Sequence, residues 1–125
     1  MLKIFKSHHP RRHAKSFKYA FEGVLHALLN EANFRVQIVI TIIAVTLGVH
    51  YRITTTEWGL LTITSGFLLA AELINTAIEE FIDHLIEDHD EGAKVIKDVS
   101  AGFVFITSVT TLIILLLIFF PRIFG

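Results

Sequence analysis

Three long apolar segments dominate the pattern of hydrophobic and polar positions along this chain. The segment Val99–Phe120 has 22 residues and no charged side chain, which is enough to span about 30 Å of hydrocarbon. Val36–Tyr51 is interrupted by the polar side chains of Gln37 and His50, and a third run starts at Trp58. A soluble helix bundle would place polar residues at every third or fourth position, and none of the three runs does so. The sequence therefore predicts an all-α membrane protein with three spanning helices, at about residues 34–51, 57–83 and 96–120.

The segment before the first span has a helical periodicity of its own. Apolar side chains recur there mainly at intervals of three and four residues: Phe17, Phe21, Val24, Leu25, Leu28 and Ala32. This stripe, with basic residues beside it, predicts an amphipathic helix at about residues 15–32 that lies in the membrane interface. Residues 1–14 are basic and are predicted to form a cytoplasmic tail on anionic lipid head groups.

The second span carries an unusual polar stripe within Ala70–Asp83. At about 100° per residue, Glu72, Glu79 and Asp83 fall within about 40° of one another on a helix. Asn75 lies about 60° to one side. Because a carboxylate is costly to leave in hydrocarbon, an ionisable group inside a span indicates a functional site.

Composition and charge place this stripe relative to the membrane. The chain has 125 residues, which is enough for one domain over residues 15–125, and it has no cysteine for disulfide or thiolate chemistry. No apolar segment follows the first basic residues as a cleavable signal peptide would require, so none is expected. Residues 1–20 contain six Lys or Arg and no acid, which predicts a cytoplasmic N-terminus. Three spans then place residues 52–57 outside and residues 83–98 inside.

Two histidine groups and one turn invite local interpretations. The candidate metal groups are His8, His9 and His13, and His84, Asp88 and His89. The first group lacks carboxylate or thiolate partners, and an acidic solvated loop explains the second more simply, so we expect neither to bind a metal. Thr55 or Thr56 is predicted to cap the second span.

Seven polar residues are expected near the cytoplasmic boundary: Glu31, Arg35, Glu72, Asn75, Glu79, Lys97 and Asp98. Carboxylate oxygens suit Mg²⁺, a lysine can neutralise phosphate, and a carboxylate in apolar surroundings can act as a general base. This set favours phosphoryl transfer, although neither of the familiar glycine-rich phosphate loops occurs. Spacing alone leaves three alternatives open. Glu72 could serve a small proton- or ion-coupled transporter, the stripe could be a structural seam, and Glu31 with Arg35 could be a surface ion pair.

Three segments carry motifs in a distinctive order. They are Glu31-Ala32-Asn33-Phe34-Arg35, then Glu72-Leu73-Ile74-Asn75-Thr76-Ala77-Ile78-Glu79 followed by Asp83, and then Ala93-Lys94-x-x-Lys97-Asp98-Val99-x-Ala101. Together they closely resemble the prokaryotic diacylglycerol kinase family, whose members are small three-span membrane enzymes unrelated to soluble kinases. The resemblance covers about residues 16–120 and is nearest to the undecaprenol kinase branch. One departure is Asp90-Glu91-Gly92, where that branch would have His-Pro-Leu.

The resemblance implies a role for each residue of the set. Glu72 would be the general base, and Glu31 and Glu79 would hold Mg²⁺ on the nucleotide phosphates. Lys97 would contact those phosphates. Asn75 would orient the base or the substrate, and Asp98 and Arg35 would support the site.

The resemblance also implies an activity and a setting. We expect an ATP- and Mg²⁺-dependent lipid kinase of the bacterial cytoplasmic membrane that phosphorylates undecaprenol or diacylglycerol at the cytoplasmic face. The motifs leave the choice between these two lipids open. Family members are homotrimers with active sites built between subunits, so a homotrimer is expected here, and no nucleic-acid partner is expected.

Overall fold

The computed structural model describes residues 10–125, and this part of the chain forms four α-helices. They are α1 (Pro10–Asn30), α2 (Ala32–Tyr51), α3 (Thr55–Leu85) and α4 (Glu91–Phe124). The last three are long and apolar enough to cross a membrane, which confirms the prediction of an all-helical chain with three candidate spans. Many of their large apolar side chains are exposed, including Phe67, Phe105 and Leu117, as expected of helices that face lipid.

α3 and α4 extend beyond the predicted spans at both ends. α3 has 31 residues and α4 has 34, which correspond to about 46 Å and about 51 Å of helix against about 30 Å of hydrocarbon. Hydropathy marks only the part of a helix that suits hydrocarbon, so the polar ends were left out of the predicted spans. α4 starts at Glu91 because the Asp90 side chain accepts a hydrogen bond from the Ala93 amide at 2.8 Å.

α1 reaches further towards the N-terminus than its apolar stripe indicates. Residues 10–14, assigned from the sequence to a tail, are helical, and Pro10 suits the first turn because proline has no N–H to leave unpaired there. The rest of the predicted tail lies outside the described residues. Ala27 is the one buried residue of α1, whereas Phe17 and Phe21 of the apolar stripe are exposed. The location of this helix in a membrane interface remains a prediction.

The turn between α2 and α3 ends in a capping box that the sequence analysis placed one or two residues too late. Thr54, and neither Thr55 nor Thr56, is the N-cap of α3. Its hydroxyl accepts a hydrogen bond from the Glu57 amide, and the Glu57 carboxylate accepts one from the Thr54 amide, both at 3.2 Å. The two backbone donors at the start of the helix are thereby satisfied.

An ion pair closes the same end of the molecule. Arg122 near the end of α4 donates to both carboxylate oxygens of Glu57, at 2.6 and 2.7 Å. Beside it lies the buried apolar core formed by Ala44, Ile53, Leu61, Ile118 and Phe119. The ring of Trp58 packs so closely on Gly48 that a Cβ there would lie 2.7 Å from a ring carbon, so only glycine lets α2 approach α3 this closely.

Consecutive spans alternate in direction, and this decides where the polar residues meet. The end of α3 and the start of α4 are joined by residues 86–90, so Asp83 and Lys97 lie at the same end of the helix pair. The junction of α1 and α2 lies at this end too, because His26 of α1 is 3.5 Å from Glu80 of α3. The end opposite the Glu57–Arg122 pair is therefore the polar end of the fold.

Candidate active site

A buried carboxylate stands at the centre of the polar set. Glu72 of α3 is only 1% exposed, and its Oε2 accepts a hydrogen bond from Nε2 of Gln37 at 3.0 Å. Gln37 lies on α2 and is itself 7% exposed, so the contact is shielded from water in the folded chain. A buried carboxylate is stable only if hydrogen bonds replace its hydration, and Gln37 supplies one. In the sequence, Gln37 stands out only as a polar interruption of the first span.

Two further carboxylates lie near Glu72. Glu31 and Glu79 both interact electrostatically with it. Glu79 is on the same helix, seven residues along, whereas Glu31 arrives from the junction of α1 and α2. Glu31 is the N-cap residue of α2 by its extended backbone, but its side chain makes no capping hydrogen bond. Its carboxylate is therefore not used to hold the helix, and three acids from two parts of the chain share one region.

Asn75 stands between two members of this group in the sequence and contacts one of them. Its Nδ2 lies 3.4 Å from Oε1 of Glu79, which is a long hydrogen bond. The other side of the amide, Oδ1, is buried and has no hydrogen-bond partner among the described residues. Buried polar atoms are nearly always paired in folded proteins, so this acceptor indicates a place for a donor from a bound molecule or water.

The predicted cation lies at the edge of the same group. Nζ of Lys97 donates to Oδ1 of Asp83 at 2.7 Å and also interacts electrostatically with Glu79. α4 thus contributes a positive charge beside the carboxylates of α3. The sequence assigns Asp83 no firm role, whereas the structure makes it the ion partner of Lys97.

Two predicted site residues, Arg35 and Asp98, form hydrogen bonds that do not involve Glu72. Nη1 of Arg35 donates to the carbonyls of Leu28 and Leu29, at 3.1 and 2.9 Å, and so satisfies the last turn of α1. Within residues 10–125, Arg35 forms no ion pair with Glu31. The alternative that these two residues form a surface ion pair is therefore not supported. Asp98 accepts from Lys94 at 2.7 Å and lines the cleft at the α3–α4 turn together with Asp83 and Lys97.

The carboxylates fit a metal ion that arrives with phosphates better than one held by protein alone. No three His, Cys, Asp or Glu side chains in the described part of the chain are arranged to hold a metal ion. His84 lies 3.7 Å from Glu80 and His89 2.9 Å from Glu91, so the suggested group around these histidines does not form. Mg²⁺ commonly uses one or two carboxylates, with waters and substrate phosphates completing its shell.

An apolar cleft leads away from this region between α2 and α4. It has a volume of about 370 Å³, and Gln37 contributes to its lining together with Ile40, Leu68, Val104 and Leu112. Gln37 therefore faces Glu72 with one end of its amide while it lines a cleft of hydrocarbon character. A second cleft of about 530 Å³ at the α3–α4 turn is polar and includes Asp83 and Lys97 in its lining.

Comparison with known proteins gives consistent results. The family model described as prokaryotic diacylglycerol kinase matches residues 18–119 of this chain. The undecaprenol kinase of Bacillus subtilis is 33% identical over 111 residues, which cover 89% of this chain and 90% of that protein. A diacylglycerol kinase of Synechocystis is 30% identical over 100 residues, covering 79% of this chain and 57% of that protein. A diacylglycerol kinase of Helicobacter pylori is 27% identical over 92 residues, covering 74% and 72%.

Proposed function

Since this chain belongs to the prokaryotic diacylglycerol kinase family and is a lipid kinase, we propose that it transfers the γ-phosphoryl group of ATP to a membrane-embedded alcohol. The family membership confirms the resemblance carried by the three motifs. The observation that carries the proposed chemistry is the buried Glu72 carboxylate, hydrogen-bonded to Gln37, with Glu31 and Glu79 near it. Such a carboxylate, hydrogen-bonded to a residue that lines an apolar cleft, suits the deprotonation of a lipid alcohol.

In the proposed reaction Glu72 accepts the proton of the lipid hydroxyl. The alcohol oxygen forms its bond to the γ-phosphorus while the bond from that phosphorus to the bridging oxygen breaks, and ADP leaves. The Lys97 ammonium group leaves Asp83, binds the phosphate oxygens and balances their charge. The unpaired Oδ1 of Asn75 accepts a hydrogen bond from a bound group and so orients the substrate beside Glu72.

Glu31 and Glu79 are the residues that would hold a magnesium ion in this mechanism. When bound with ATP, Mg²⁺ would supply positive charge that neutralises the charge developing on the phosphate groups. The two carboxylates come from two parts of the chain, one from the α1–α2 junction and one from α3, and both interact electrostatically with Glu72. This arrangement would place the phosphates beside the base. The predicted supporting roles of Asp98 and Arg35 become indirect, because Asp98 binds Lys94 and Arg35 fastens α1.

The proposed acceptor is undecaprenol or diacylglycerol, with undecaprenol as the first lipid to test. The relative matched over 90% of its own length is an undecaprenol kinase, whereas the diacylglycerol kinases match over 57% and 72% of theirs. We propose that the hydrocarbon chain of the lipid lies in the cleft between α2 and α4. The cleft is lined mainly by apolar side chains, and Gln37 in its wall contacts Glu72. The alcohol end of a lipid in the cleft would thus lie near the base.

The proposed setting is the bacterial cytoplasmic membrane with the N-terminus and the active site on the cytoplasmic side, where ATP is available. The six basic residues in the first 20 positions support this orientation. We also propose a homotrimer. Support comes from the many exposed apolar side chains of α2, α3 and α4, which neighbouring copies could cover.

Phosphoryl transfer from labelled ATP is the direct test. Purified protein in mixed micelles would be given ATP, Mg²⁺ and either undecaprenol or diacylglycerol, and labelled lipid would be measured. Transfer to one or both lipids supports the proposal, and the ratio of the two rates identifies the acceptor. If neither lipid were labelled, the proposal would fail. The family membership does not favour the alternative of an ion-coupled transporter based on Glu72.

A further inference from the structure

Gln37 belongs to none of the three motifs that identify the family, yet among residues 10–125 it makes the one side-chain hydrogen bond to the proposed base. Its Nε2 donates to Oε2 of Glu72 at 3.0 Å, across 35 positions of sequence and between two helices. Both side chains are more than nine-tenths buried. From this contact we propose that Gln37 is a positioning residue that fixes the Glu72 carboxylate for proton abstraction. This inference rests on the proposed function and extends it to a residue outside the matched set.

The geometry explains how one hydrogen bond could fix the direction of a base. A carboxylate has two oxygens, and rotation about its last bond exchanges them. A donor that holds Oε2 stops this rotation and leaves Oε1 as the oxygen presented to the alcohol. Because Gln37 lies within α2 and Glu72 within α3, both ends of the hydrogen bond are carried by packed helices. A catalytic group displaced by about 1 Å can lose on the order of 100-fold in rate, so a fixed direction matters.

The second end of the Gln37 amide supports a role beyond packing. Its Oε1 is buried and has no partner among residues 10–125. A carboxamide carries a donor and an acceptor, whereas a carboxylate only accepts and a protonated carboxyl group also donates. After Glu72 has taken the proton of the alcohol on its Oε1, its Oε2 keeps its lone pairs and can still accept from Nε2 of Gln37, while Oε1 of Gln37 stays available as an acceptor for a bound donor. Gln37 can thus pair with Glu72 before and after the proton transfer, which an apolar side chain of the same size cannot do.

The inference is tested with Gln37→Met, which keeps the length of the side chain and removes both polar atoms. We expect kcat to fall by about 10- to 100-fold, while KM for ATP stays within twofold of the parent, because the phosphate-binding residues are untouched. Gln37→His should recover part of the loss, since a neutral imidazole again offers one donor and one acceptor. Thr41→Val is the matched control. It removes a hydroxyl one turn further along α2 that bonds only to the backbone of Gln37, and it should leave kcat unchanged.

Thermal unfolding in the same detergent separates positioning from a purely structural role. Below the unfolding transition of every variant, Gln37→His should remain more active than Gln37→Met even if the methionine variant unfolds at the same or a higher temperature. A methionine variant with the kcat of the parent, or a histidine variant no more active than methionine, would overturn the inference. In either case the proposed function would stand as long as the parent labels lipid and Glu72→Ala does not. A parent that labels no lipid would overturn the proposed function together with this inference.

Discussion

The ammonium group of Lys97 lies 2.7 Å from a carboxylate oxygen of Asp83, a residue fourteen positions earlier on the neighbouring helix. Lys97→Met should lower kcat on the order of 100-fold, because a charge that stabilises the transferring phosphoryl group is lost. Asp83→Asn should cost less and act mainly on KM for ATP, since Lys97 keeps its charge but loses the partner that holds it. Steady-state kinetics at varied ATP concentration measures both effects. Lys94→Met provides the comparison, and a larger loss there than in Lys97→Met would contradict the assignment.

Glu72→Gln keeps the shape of the buried side chain and removes its basicity. We expect kcat to fall by about 100- to 10,000-fold, the usual contribution of a general base. The variant should unfold at a temperature no lower than the parent, since a neutral amide is easier to bury than a carboxylate. Lipid labelling measures the expected fall in kcat, and thermal unfolding of the same preparation measures the expected stability. Near-normal activity would instead favour a structural role for the stripe.

The neighbours Glu79 and Glu80 provide a matched pair for the metal role. Glu79→Ala should raise the Mg²⁺ concentration needed for half-maximal activity by about tenfold or more, and excess Mg²⁺ should restore part of the rate. Glu80→Ala should leave the Mg²⁺ dependence as it is, because Glu80 faces His26 and His84 at the surface. Magnesium titrations of the kinase rate decide the question. Equal responses of the two variants would contradict the role of Glu79.

The cleft between α2 and α4 is tested by filling it. Val104 lines the cleft, whereas the next residue, Phe105, is 69% exposed on another face of α4. Val104→Trp should raise KM for the lipid severalfold and leave KM for ATP unchanged, because the larger ring takes the space of the hydrocarbon chain. Phe105→Trp should change neither. If both tryptophans affected the lipid equally, the cleft would not be the binding place.

The Glu57–Arg122 pair should matter for stability and not for chemistry. Arg122→Met removes a two-point contact between the start of α3 and the end of α4, so we expect unfolding several degrees lower with an unchanged kcat below that temperature. Arg52→Met is the control, because the Arg52 side chain forms no ion pair in the described part of the chain. Unfolding monitored by circular dichroism at low and high salt would show whether the loss is electrostatic. Equal losses in the two variants would exclude a special role for the pair.

Much of this fold could be predicted from the sequence because the membrane simplifies the problem. Uninterrupted apolar runs locate the spans, and helical spacing alone brings Glu72 and Glu79 to one face. The predicted spans do not give the ends of α3 and α4, since hydropathy says nothing about helix that continues beyond the hydrocarbon. The capping residue Thr54 was missed because three consecutive threonines offer equivalent side chains, and only backbone geometry distinguishes them.

Contacts between distant positions were not predictable in the same way. Gln37 and Glu72 are 35 residues apart, and Glu57 and Arg122 are 65 apart, so no periodicity links them. The contacts of Arg35 were likewise not predictable from the sequence. Its place in a family motif suggested the site, whereas its guanidinium binds the last carbonyls of α1, which depends on the angle between α1 and α2.

The junction between α1 and α2 consists of a single non-helical residue, Glu31, and Arg35 fastens the last turn of α1 across it. A connection this short has no slack, so a tilt or rotation of α1 must be absorbed by the backbone angles of Glu31 itself. A rotation of α1 would therefore be centred on Glu31, which is a proposed metal ligand. With α1 in the membrane interface, as predicted from the sequence, a change in head-group charge or bilayer thickness that tilted α1 would move the Glu31 carboxylate. The lipid surface would then influence the rate of phosphoryl transfer as well as supply the substrate.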